Sequence, residues 1–203
     1  MLLGWVCPVC DEPGLVPCER CRAEMRAAPS LPTPPLLDHC LALLAYEGAA
    51  RELVARVKFR NQRAAINWLA DGMAGLLDDS LAAQLELVTW APATPLHARR
   101  RGFDHGELLA RAVARRLRID CARVLARAAG PALTGRAAAD RRSTGVALTA
   151  RRCPTSPCLV VDDVVTTGTT MSSAAAALRA AGVTSVVGLA AARTPRPAAG
   201  PVR

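Results

Sequence analysis

The stretch "VVDDVVTTGTT", residues 160–170, gathers the side chains best suited to chemistry. Two adjacent carboxylates, Asp162 and Asp163, close an apolar run, and Thr166, Thr167, Gly168, Thr169 and Thr170 follow. Glycine lets a backbone approach a ligand closely and take positive φ. Backbone N–H groups at a helix start, with the helix dipole behind them, favour an anion. Threonine hydroxyls add donors. Carboxylates beside such a cradle accept hydrogen bonds from sugar hydroxyls. A phosphorylated ribose offers both the phosphate and the hydroxyls. An ordinary N-cap at Thr170 with a solvated Asp pair is the competing reading, and the pair's place at a strand end weighs against it.

The flanking pattern supplies the scaffold. Leu159–Val161 after Pro157 reads as a buried parallel strand. Met171, Ala174, Ala175, Leu178 and Ala181 recur at helical spacing and stop at Gly182. Residues 183–191 read as another strand, completing a βαβ unit with its ligand edge at the strands' carboxyl ends. Upstream, 85–91 also reads as a strand. After it come Arg99, Arg100 and Arg101, whose guanidinium forks match pyrophosphate oxygens. A solvated basic face is the alternative for three arginines alone. A helix bearing Leu108, Leu109, Ala112, Val113 and Leu117 follows. His105 at its start reads as a surface residue or an acid, and Lys58, the only lysine, as a snorkelling helix residue or an active-site group.

A second constellation lies at the amino end. Cys7, Cys10, Cys18 and Cys21 form C-x2-C-x7-C-x2-C, two knuckles suited to a tetrahedral structural zinc. Four thiolates leave no open position for metal catalysis. Cys40, Cys121, Cys153 and Cys158 lack metal spacing as a set. The prediction is a zinc module over 1–30, a proline-rich hinge and helical region over 31–84, a parallel-sheet domain over 85–195 and a disordered tail over 196–203. Leu41–Phe59 is expected to be helical with a break near Gly48. Ile66, Leu69, Ala70, Met73, Leu76 and Leu77 predict the next helix. Residues 122–125 read as a short strand, and 127–157 as a mobile loop.

The chain has 203 residues, enough for one α/β domain with an appendage, and a formal charge of +9. That balance favours phosphorylated ligands or nucleic acid. Aromatics are only 3%, which argues against stacking platforms for single strands. No apolar run is long enough to span a membrane and no signal peptide is evident, so the expected compartment is the cytoplasm.

Residues 159–171 resemble the 5-phosphoribosyl 1-pyrophosphate (PRPP) signature of type I phosphoribosyltransferases. With the cysteine module, "AYEGAARELVARVKFRNQ" (45–62), "WAPATPLHARRRGFDHGELLARAVA" (90–114) and "GPALTGRAAADRR" (130–142), the chain resembles the competence protein ComF family from about Cys7 to Ala192. The resemblance implies a phosphoribosyltransferase fold, a parallel sheet flanked by helices, behind a zinc module. It implies ribose binding by Asp162 and Asp163, which are also the expected catalytic residues, phosphate binding by Thr166–Thr170, and Val164 among the residues that contact PRPP, with Mg2+ accompanying it. It also implies a link to DNA uptake and natural transformation, with single-stranded DNA or competence proteins as partners. The sequence departs from the family at His105, Leu133 and Thr144, where Gln, Gln and Asn are common. The function expected is transfer of a phosphoribosyl group to an unknown acceptor. The alternative is a non-catalytic module that senses PRPP or binds single-stranded nucleic acid.

Overall fold

The computed structural model describes residues 6–60, 63–93, 104–127, 147–151 and 155–195. Seven strands and six helices occur among them: α1 (Glu19–Ala23), β1 (His39–Ala45), α2 (Gly48–Arg60), α3 (Arg63–Ala74), α4 (Asp79–Gln84), β2 (Leu87–Trp90), α5 (His105–Leu117), β3 (Asp120–Cys121), β4 (Leu125–Arg127), β5 (Leu148–Ala150), β6 (Cys158–Val165), α6 (Thr169–Ala180) and β7 (Val186–Arg193).

Five strands form one parallel sheet in the order β1-β7-β6-β2-β3. Strands buried on both faces should be apolar throughout, and β7, "VVGLAAAR", is buried at every position. One apolar layer joins α2, α3 and α5 to Val88, Trp90, Leu159, Val161, Val187 and Leu189. On the other face α6 packs over Leu87, Cys158, Val160, Val186 and Ala190, with Val124 and Leu125 beside it. The parallel sheet flanked by helices is the architecture expected from the sequence.

The three strands expected at 85–91, around 159–161 and at 183–191 are present with shifted ends. The helix expected from Leu41 begins only at Gly48. Its first part is strand β1, because "HCLALLA" finds a parallel partner in β7. Of the short strand expected at 122–125 only Leu125 is strand, as the first residue of β4, while 122–124 link β3 to β4. Part of the expected loop after 127 is also strand: β5 pairs antiparallel with β4.

Chain order fixes where a ligand would sit. From β2 the chain runs through α5 to β3 in one direction along the sheet. From β6 it runs through α6 to β7 in the other, with α6 on the opposite face. The adjacent strands β2 and β6, paired as far as Trp90↔Val161, therefore flank a topological switch point. Crevices at such points, outside the carboxyl ends of the strands, are where open α/β sheets bind ligands.

Candidate phosphoribosyl and metal sites

Strand β6 carries the Asp pair to this crevice. It extends two residues beyond the pair, since Val164 and Val165 still pair with Ala192 and Arg193. The ladder skips Asp163, and the neighbouring β1–β7 ladder skips Leu43 at the same level. Side-chain alternation also slips here. Val161 and Val164 both face the α3/α5 layer, and Val165 faces the α6 layer. Asp162 Oδ1 accepts the Asp163 N–H at 2.8 Å, so the carboxylate occupies a donor adjoining the slip.

Beyond Val165 the chain turns into α6 through Gly168, whose φ is +81°. Glycine takes that conformation without the Cβ penalty. It also leaves α6 without a side-chain cap, and the first N–H groups of a helix have no partner within it. The Thr167 and Thr169 hydroxyls lie 2.7 Å apart, and Thr169 N–H reaches Thr167 Oγ1 at 3.4 Å. Asp162, Val164–Thr170 and Met171 line a concavity of about 30 Å³. A single water needs roughly 10–15 Å³, so the space suits a small anion. Asp163 does not line it. One carboxylate, four threonines of the turn and helix start, and an uncapped helix end thus share one hollow.

The neighbouring strand brings its own loop to the edge. Asp104 caps α5, accepting Gly106 N–H at 3.0 Å, and its second oxygen accepts Ala93 N–H at 2.9 Å. Arg127 Nε donates to the Pro92 carbonyl at 2.9 Å. The first bond ties the chain leaving β2 to the start of α5, and the second ties it to β4 of the two-stranded sheet. Arg99, Arg100 and Arg101, expected to hold pyrophosphate, lie outside the described residues, as do Leu133, Thr144 and the side chain of Lys58. His105 is buried at 7% exposure rather than on the surface, because α5 packs its first turn down onto the sheet.

Residues 104–199 match the family model described as the phosphoribosyl transferase domain. The matched segment contains α5, β6, the threonine–glycine turn, α6 and β7. A search of curated proteins gives no match. Among solved structures, "Structure of the allosteric regulatory enzyme of purine biosynthesis" is similar at a TM-score of 0.44 and 20% identity, over 63% of this chain and 25% of that one. The chain therefore spans about a quarter of that protein's length.

The four cysteines converge as their spacing predicts. The sulfurs of Cys7, Cys10, Cys18 and Cys21 all lie within 4.8 Å of one another, and Cys10 and Cys18 are 3.7 Å apart. Tetrahedral zinc with Zn–S bonds of about 2.3 Å separates its sulfurs by about 3.8 Å, so the group could hold such an ion. Burial works against a Cys7 thiolate. Backbone N–H groups of Cys18, Cys10 and Val9 outweigh it and bring the thiol down to about 6. Cys21 is pushed up by burial and by its cysteine neighbours. Four thiols packed this closely do not all ionise without a cation among them.

Two contacts escape a sequence reading. Arg193, at the end of β7, is only 6% exposed, and its guanidinium donates to the carbonyls of Pro32 (2.7 Å) and Leu31 (3.4 Å). Pro34 lies against Gly168. Neither contact has a local signature, because the partners are more than 130 positions apart.

Proposed function

We propose that this chain binds PRPP at the carboxyl edge of β6 and β2 and transfers its phosphoribosyl group to an acceptor. The reading rests above all on the hollow that Asp162 shares with the uncapped, glycine-started helix α6. The turn Thr166–Thr170 would hold the 5-phosphate through N–H and hydroxyl donors, and Asp162 and Asp163 would accept the ribose hydroxyl protons. Magnesium takes oxygen ligands and keeps substrate phosphates in its shell. The oxygen donors at this edge suit it, and it would arrive with the pyrophosphate. Zinc would be structural in the cysteine module.

In the transfer the C1–pyrophosphate bond breaks, a bond from the acceptor nucleophile to C1 forms, and the acceptor gives up a proton. The protein needs no covalent intermediate. Its share is to fix the sugar and the leaving group and to stabilise charge, which are the large terms in such catalysis. Arg99–Arg101 follow β2 in the sequence, and their charge suits the departing pyrophosphate.

The finer reading is a ComF-type protein of the cytoplasm linked to DNA uptake. It is supported by the conjunction of a four-cysteine cluster with the phosphoribosyl transferase match. The deciding experiment incubates the protein with radiolabelled PRPP, Mg2+ and, separately, nucleobases, amines and single-stranded DNA. Labelled product with one class names the acceptor. PRPP binding without turnover would make the protein a sensor, and no binding would remove the proposal.

A further inference from the structure

Building on the PRPP reading, we infer that Arg193 is a positioning residue that clamps the proline strap Leu31–Leu37 across the phosphate turn as a fixed wall of the binding site. The strap touches the turn directly. A Cβ placed on Gly168 would stand 2.6 Å from Pro34 Cγ and 2.8 Å from Pro34 Cβ. Both ends of the strap are tied down. Arg193 holds the carbonyls of Leu31 and Pro32, and Arg179 of α6 donates from Nε to the Leu36 carbonyl at 2.9 Å. Leu37 is buried in the α6 core layer, and Asp38 N–H donates to the Val186 carbonyl at 2.9 Å.

The chemistry of Arg193 supports a role beyond fastening. Removing a guanidinium from water is costly unless it is well partnered. Arg193 directs two nitrogens at the strap, yet its buried Nε has no hydrogen-bond partner among the described residues. Its ladder partner, Val165, lines the phosphate hollow. The Cys40 thiol, raised mainly by burial, is drawn down by Arg193 and pushed up by Asp162, so the two charges flank one place. A strap of prolines is already ordered before binding, which reduces the entropy cost of a preformed pocket.

Calorimetric titration with Mg2+–PRPP on wild type, Arg193→Gln, Pro34→Gly and the double variant tests this. Arg193→Gln should lose affinity by about tenfold, the order expected when charge-assisted bonds are lost, and Pro34→Gly should lose about as much because it removes the packing side chain of the wall. The double variant should lose little more, because both changes release the same wall and coupled sites are not additive. Arg193→Lys, which can still reach the Pro32 carbonyl, should stay within about threefold of wild type. Folded variants with unchanged affinity, or losses that simply multiply, would overturn the inference. Should the variants not fold, hydrogen exchange in wild type decides. Saturation with PRPP should slow exchange at Leu36, Leu37 and Asp38, and unchanged rates there count against the wall. A wild type that does not bind PRPP condemns the functional reading itself, a distinguishable result.

Discussion

The Arg56 guanidinium reaches back 45 positions to hold both carboxylate oxygens of Asp11, each at 2.8 Å. Asp11 lies between the two cysteine knuckles and Arg56 lies on α2, so the bond ties the metal-type cluster to the main core. Other contacts reinforce it. Arg22 stacks over the Trp68 ring at 5.6 Å, and Val9, Val16 and Met25 pack against the apolar layer of α2 and α3. Leaving the cluster, the chain hydrogen-bonds to β1: Ala45 N–H donates to Arg26 and Ala28 N–H to Leu43.

Metal loss should therefore reach beyond the amino end. Cys18→Ser should abolish stoichiometric zinc measured by plasma mass spectrometry, since a structural site needs all four ligands. It should also speed hydrogen exchange in α2 as well as in residues 7–23. Exchange that rises only before residue 30 would show that the cluster folds and unfolds alone.

Gly168→Ala should be damaging even though alanine is small. Its φ of +81° penalises any Cβ, and Pro34 already fills the space where the Cβ would go. The left-handed conformation alone costs roughly 1–2 kcal/mol, and the contact adds to it. The expected result is a melting temperature several degrees lower and PRPP binding weakened by more than tenfold. An alanine variant that binds like wild type would mean that the turn does not cradle the phosphate.

The legible parts of this chain are those whose signal is local. Residues 158–170 announce a strand, a turn and a helix within a few positions, and the cysteine spacing predicts a cluster that does close. Strand β1 was not legible, because "HCLALLA" is a short apolar run that periodicity assigns equally to helix or strand. Its parallel pairing with β7, some 148 positions away at His39↔Val187, decides the matter. The proline segment reads as a hinge on composition alone. What pins it is Arg193, and no pattern near residue 32 anticipates that contact.

Asp38 predicts a pH dependence of stability. Burial alone would raise its carboxyl, but Ser185 Oγ (2.8 Å), Val186 N–H (2.7 Å) and the Arg179 guanidinium (2.8 Å) together hold it below its ordinary value. A depressed carboxyl stabilises the fold above its unfolded pKa of about 3.9, and that stability is lost as pH falls through the folded value. The side chain is 40% exposed, so solvent screening keeps the effect to about 1 kcal/mol. Asp38→Asn should unfold at lower urea than wild type at pH 7, and the gap should narrow below about pH 4. A constant gap from pH 7 to 3 would show that charge is not the cause.

The two adjacent carboxylates should differ in their importance. Asp162 lines the hollow with the threonine turn, and Asp163 does not. Asn at position 162 keeps an oxygen for the Asp163 N–H bond, so Asp162→Asn should leave the fold intact and change mainly the charge presented to the ribose hydroxyls. Charge-assisted bonds contribute about 1.5–3 kcal/mol, so PRPP affinity should fall about tenfold to 100-fold for Asp162→Asn. Asp163→Asn should lose less, within about tenfold. Zinc content should stay at the wild-type level in both, since the cysteines lie at the amino end of the chain. Titration calorimetry with Mg2+–PRPP reads the two losses directly. A larger loss at Asp163 would mean that the ribose lies over the α3/α5 side of β6 rather than over the threonine turn. Equal affinity in wild type and both variants would reduce residues 160–170 to a strand and a helix start with no ligand.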